Sequence, residues 1–93
     1  MQVIEWTRQF KRDYKREGKG RYRATLDDDL FPAVDCLAND QPLEQRYRDH
    51  PLTGDWKEHR DCHIKPDLML IYQKPDNSTL RLVRLGSHSE LAL

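Results

Sequence analysis

The chain has no long apolar run, few glycines, only two cysteines and no net charge, and each shortage removes a class of protein. No stretch approaches the roughly 18 consecutive apolar residues that a membrane-spanning helix needs. No basic-then-apolar leader runs into a small-residue cleavage site, so a soluble cytoplasmic protein is expected. Cys36 and Cys62 stand far apart, with no C-x-x-C pair, which excludes a disulfide framework and predicts two reduced thiols. Four glycines among 93 residues leave no flexible linker, and no repeat or low-complexity tract interrupts the chain. Residues 1–93 therefore read as one domain with one modest core. Sixteen Lys/Arg offset sixteen Asp/Glu, so no overall field draws a polyanion toward the protein.

The charge that is present is unevenly spread. Residues 1–25 carry eight bases and three acids, whereas residues 26–45 carry six acids and no base. A basic stretch of this kind can meet phosphates or an acidic partner, or it can be a solvated helix face. The apolar spacing predicts the elements. Met1–Trp6 alternates and suits a short strand. Thr7 is a plausible N-cap for a helix with Phe10 and Tyr14 on one face, ending at Gly18 and Gly20. Leu26, Leu30, Val34 and Leu37 predict a second helix over Tyr22–Asn39, with Thr25 to Asp28 arranged as a capping box and Pro32 awkward in its interior. Trp56–Ile64, Leu68–Tyr72 and Leu80–Leu85 read as three antiparallel strands, the middle one buried on both faces and the last two joined by a turn at Pro75–Ser78. Ser87–Leu93 reads as a tail. The sum is an α+β domain in the order β-α-α-β-β-β, with two N-terminal helices on one face of a mostly antiparallel four-stranded sheet.

Four histidines are the candidate chemistry. His50 falls in a loop, His59 and His63 on one face of a predicted strand, and His88 just past the last strand. Imidazole titrates near neutrality and can act as base or acid. Metal-free RNA cleavage needs a base for the ribose 2′-OH, an acid for the leaving 5′-oxygen and a cation for the phosphate. Arg60, Arg81 or Arg84 suits the last role, because guanidinium matches phosphate bidentately. A zinc site drawn through His59, Cys62 and His63 is the competing reading, but H-x-x-C-H matches no common zinc spacing and adjacent strand residues point to opposite faces. Four ordinary histidines remain the plain alternative. Trp56 and Tyr72 can stack on bases or fill a core.

Residues 47–72, YRDHPLTGDWKEHRDCHIKPDLMLIY, resemble the central block of the YafQ branch of the RelE-type toxins. Asp49-His50-Pro51-Leu52, Gly54, Trp56-Lys57, Arg60, His63, Pro66-Asp67 and Ile71-Tyr72 match that pattern in order and spacing. Val83 to His88 resembles its R-x-G-[ST]-H ending. The resemblance implies a toxin of a type II toxin–antitoxin pair with a small RelE-like fold, entering the ribosomal A site and cutting mRNA there without a metal or other cofactor. It implies acid–base and positioning roles for His50, His63, Asp67 and His88. It implies substrate or phosphate contact for Arg84, Arg60, Lys57 and Trp56. The implied partners are a cognate antitoxin of DinJ or RelB type, the ribosome and mRNA, with operator DNA met only through the antitoxin and no membrane. Three features depart from the pattern. Ala92 stands where an aromatic is usual, His59 stands where Tyr is common, and the chain is neutral where ribosome-directed toxins are basic. Those departures leave a second reading, an inactive partner-binding or regulatory module on the same fold.

Overall fold

The computed structural model describes residues 2–93. Its elements in chain order are β1 (Val3–Trp6), α1 (Arg8–Glu17), α2 (Leu26–Ala38), β2 (His50–Pro51), β3 (Arg60–Lys65), β4 (Leu68–Asp76), β5 (Thr79–Gly86) and α3 (His88–Leu91). Met1, expected to open the first strand, lies outside the described residues. Among the described residues the sheet has five strands in the order β1-β5-β4-β3-β2, with β1 parallel to β5 and the other pairings antiparallel. The α+β class and the two-helix layer hold. The fifth strand is β2, a two-residue pairing of His50 and Pro51 with Asp61 and Arg60, in a segment expected to be loop.

Helix α1 begins where the sequence places it. Thr7 is extended, and its hydroxyl accepts the Phe10 N–H at 3.1 Å, satisfying one orphan donor of the first turn. Helix α2 starts four residues later than expected. Backbone bonds from Arg23 to Gly20 and from Thr25 to Tyr22 hold a turn there. Thr25, at φ −124° and ψ −1°, is not extended and makes no side-chain cap, so the expected capping box does not form. Pro32 sits inside a continuous helix on its exposed side. The carbonyl that loses its donor there belongs to Asp28, which is also exposed and open to water.

Strand alternation divides the sheet into two faces. Leu68, Leu70, Tyr72, Cys62, Leu80, Leu82 and Leu85 bury against α1 and α2. Trp6 joins that layer through edge contacts to Phe10 and Tyr14 at 5.0 and 5.3 Å. Met69 and Ile71 point to the other face, where Leu91 of α3, Leu52, Trp56 and Val83 cover them. In β4, both predicted faces are buried over Leu68–Tyr72. The strand predicted from Trp56 starts only at Arg60. Gly54–Trp56 forms a 3₁₀ turn, and Glu58 at φ 69° redirects the chain, so His59 precedes the strand instead of sharing its face with His63. The tail is not irregular. Ser87 and Glu90 form a reciprocal capping box that starts α3.

Candidate active site

The histidines gather on the sheet face opposite α1 and α2. Cys62 points into the helix-side core, so alternation sends Asp61 and His63 to the other face. β2 brings His50 opposite Asp61. β5 ends at Gly86 beside Met69, and the α3 cap then presents His88. The His50 and His63 ring centroids stand 6.3 Å apart, and those of His63 and His88 stand 5.6 Å apart. His59 is not in this group. It meets the Trp56 ring at 5.5 Å, and its Nδ1 stands 3.0 Å from the Lys57 carbonyl.

Hydrogen bonds set the imidazole orientations. The Arg48 carbonyl, which only accepts, lies 2.6 Å from His50 Nδ1, so that nitrogen carries the proton and Nε2 is left for chemistry. Asp67 accepts from His88 Nδ1 at 2.9 Å and from the His88 backbone N–H at 3.2 Å. Those two bonds, the side-chain one foremost, hold the Asp67 carboxyl below its ordinary range. His88 Nε2 is thereby free as well.

The sequence reading missed Asp61. Its side chain is 4% exposed, beneath the imidazoles. Oδ1 lies 3.3 Å from His50 Nδ1, yet receives no hydrogen bond, because the Nδ1 proton is aimed at the Arg48 carbonyl. The short distance is therefore a charge contact and not a hydrogen bond. Burial pushes the Asp61 carboxyl up, and the three histidines pull it down by less. The sequence signal was present: Asp61 is two residues before His63 and so shares its face. Nothing in the sequence showed that it would be buried.

The expected substrate contacts are placed differently from one another. Arg84 is held by Asp13, which is 2% exposed and accepts from Arg84 Nε at 2.6 Å and Nη2 at 3.2 Å, from Arg16 Nη1 at 2.8 Å and from the Leu85 N–H at 3.0 Å. Arg60 donates to Asp49 at 3.2 Å, and Asp49 also takes the Tyr72 hydroxyl, which anchors the strand that carries His50. Burial lowers the Arg60 guanidinium, but the hydrogen bonds with Asp49 and Tyr72 outweigh it and raise it overall. Trp56 packs half-buried on the Met69 and Ile71 cluster, and Tyr72 is core. Lys57 is exposed. Among the described residues no three His, Cys, Asp or Glu side chains form a group able to hold a metal ion.

A family model described as "Bacterial toxin of type II toxin-antitoxin system, YafQ" matches residues 2–93. The mRNA interferase toxin YafQ of Escherichia coli strain K12 is 37% identical over 95 residues, covering 95% of this chain and 92% of that protein. The E. coli DinJ–YafQ complex contains a chain that superposes with TM-score 0.84 at 37% identity, covering 98% of each chain. A metal-bound toxin from Helicobacter pylori superposes with TM-score 0.80 at 46% identity, covering 98% of this chain and 99% of that one.

Proposed function

The chain belongs to the YafQ family of bacterial type II toxin–antitoxin toxins, and on that footing we propose that it is an endoribonuclease that cuts translated mRNA in the ribosomal A site until a cognate antitoxin neutralises it. The observation that carries this reading is the gathering of His50, His63 and His88 on one face of the sheet, with a carboxylate against two of them. One imidazole takes the ribose 2′-OH proton as the 2′-oxygen attacks phosphorus. A second protonates the departing 5′-oxygen as its P–O bond breaks, leaving a 2′,3′-cyclic phosphate and a 5′-hydroxyl. Both proton transfers use side chains of this cluster, so the step balances without a metal. Asp67 keeps the His88 ring in the tautomer that offers Nε2, and the Arg48 carbonyl does the same for His50. The E. coli relative is found in complex with DinJ, and an antitoxin of DinJ or RelB type is the partner by that likeness, with operator DNA met through it. A protein that acts on ribosomes works in the cytoplasm, and no described helix is long and apolar enough to cross a membrane.

Ala92, exposed at φ 57° where the family usually carries an aromatic, favours the second reading, an inactive partner-binding module. Primer extension on a defined mRNA in a purified translation system separates the two. Cuts within A-site codons that require ribosomes, persist in a chelator and weaken strongly in His88→Ala support the nuclease. No cleavage by folded wild-type protein refutes it and leaves the module.

A further inference from the structure

Next to the imidazoles lies a groove of about 620 Å³, bordered by Arg46, Arg48, His63, Lys65 and His88. Its histidine end has a carboxylate beside it, because Asp67 is bonded to His88. A phosphodiester seated there needs an uncompensated cation on the opposite wall, and the nearby cations differ in what already holds them.

Arg84, the cation expected from the sequence, does not border this groove. Its guanidinium belongs to a network of two arginines, Arg16 and Arg84, set against three carboxylates, Asp13, Glu17 and Glu90, so that network offers an anion no net attraction. Arg46 is folded over the Tyr47 ring at 4.6 Å, donates to its hydroxyl at 2.8 Å and pairs with Glu44 at 3.3 Å. Lys65 is paired with Asp29 and lies 5.5 Å over the Tyr22 ring. Arg48 differs from all of these. Its side chain is exposed and has no ion pair or side-chain hydrogen bond among the described residues. Its backbone, by contrast, is fixed. It sits in the left-handed region at φ 49°, its N–H donates to the Gln45 carbonyl at 3.0 Å, and its carbonyl accepts from His50 at 2.6 Å. A non-glycine residue held at positive φ costs folding energy and persists only where its surroundings enforce it. Here the enforced position leaves a free guanidinium on a rigid base one residue pair from a candidate catalytic imidazole.

We infer that this groove is the track of the RNA strand flanking the cut, and that the Arg48 guanidinium, not Arg84, meets a backbone phosphodiester there. The inference rests on the nuclease reading for its ligand, and it adds the subsite and the residue. Arg48 then serves twice: its carbonyl orients His50, and its side chain holds the strand across from His63 and His88. Guanidinium suits the second task because it binds phosphate oxygens in a bidentate fork and keeps its charge at any working pH.

The test has two arms. In the first, the full chain labelled with ¹⁵N is titrated with a short 2′-O-methyl RNA, which lacks the nucleophile and is not cut. The wild type, Arg48→Gln, Arg48→Lys and Arg84→Gln are compared, with thermal melting as the check on folding. Amide shifts confined to Arg48, Ile64, Lys65 and His88 are expected. Arg48→Gln weakens binding about tenfold or more, as losing one charge-assisted phosphate contact implies. Arg48→Lys restores part of it, and Arg84→Gln changes it less. In the second arm, the same variants are assayed for mRNA cleavage on ribosomes, and Arg48→Gln loses about tenfold or more. RNA shifts absent from the groove, or Arg48→Gln binding or cutting like wild type, overturn the inference. A wild-type protein that binds RNA in the groove but cuts nothing on ribosomes sinks the nuclease reading while upholding the subsite.

Discussion

Asp61→Asn is expected to make the fold more stable at neutral and alkaline pH and the site less active. Asp61 is 3% exposed, and its Oδ1 lacks a hydrogen-bond donor although His50 Nδ1 is 3.3 Å away. An ionised carboxylate there is desolvated without full compensation. Leaving a buried polar group unsatisfied costs about 1–3 kcal/mol, more for a charged one, and the facing imidazoles return part of that. The folded-state pKa is raised, chiefly by burial. For a raised carboxyl, the stabilising contribution is complete below the unfolded value of roughly 3.9 and is lost as pH rises through the folded value. The wild type and Asp61→Asn should therefore melt alike near pH 3.5 and diverge as pH rises. By pH 8 the variant leads by about 1 kcal/mol, which in a domain of this size is about 4–8 °C in Tm. Cleavage should fall in the same variant, because the imidazoles lose the one buried negative charge that faces them. Circular-dichroism melts from pH 3.5 to 8.5, paired with the ribosome cleavage assay, measure both. A variant less stable than wild type at pH 8, or a stability gap that does not change with pH, would refute the reasoning.

Asp13→Ala leaves Arg84, Arg16 and the Leu85 N–H facing a void. Removing one side of a buried ion cluster costs about 3–5 kcal/mol, which urea unfolding would register as a large drop in midpoint. A loss under about 1 kcal/mol would mean that the cluster is replaceable by water. Gly86→Ala places a Cβ 3.1 Å from Arg16 Nη2 and 3.3 Å from Glu90 Cβ, so the Arg16 side chain and Glu90 of α3 must give by a few tenths of an ångström. The expected outcome is about 1–3 kcal/mol of destabilisation, with a displaced His88 ring resonance and weaker cleavage, and an unmoved resonance would count against it. Asp67→Ala removes the acceptor on His88 Nδ1 and should lower cleavage by at least about tenfold with the fold intact. Because the Asp67 carboxyl is held low, its contribution is present above the unfolded carboxyl value and is lost only as pH falls through the lower folded one. The His88–Asp67 contact, read from the ring resonances, should thus outlast ordinary carboxyl titration in acid.

The parts of this fold that were legible in the sequence are those written in short-range pattern. Thr7 three residues before Phe10 announces α1, and the unbroken run Leu68–Tyr72 announces a strand covered on both faces. The Ser87-x-x-Glu90 signature of α3 is equally local, and it makes a capped helical turn of the segment expected to be a tail. The Thr25-x-x-Asp28 pattern failed for a physical reason: a turn that begins at Gly20 feeds Thr25 into the helix in the wrong conformation to cap it. The residue types of the site were legible because His50, His63, Asp67 and His88 stand in a recognisable order. What was not legible is which charges cancel. Asp13 and Arg84 are 71 positions apart, and only the packing of α1 on β5 makes one the other's counter-ion. The same packing covers Arg84, and among the described residues it leaves Arg48, three positions before an ordinary-looking Pro51, as a cation beside the histidines without an ion pair. A sequence can nominate an arginine for phosphate, but tertiary contacts decide which arginine still has its charge to offer. That is why the inferred phosphate contact moves to Arg48, while the proposed proton-transfer roles stay with the histidines that the sequence nominates.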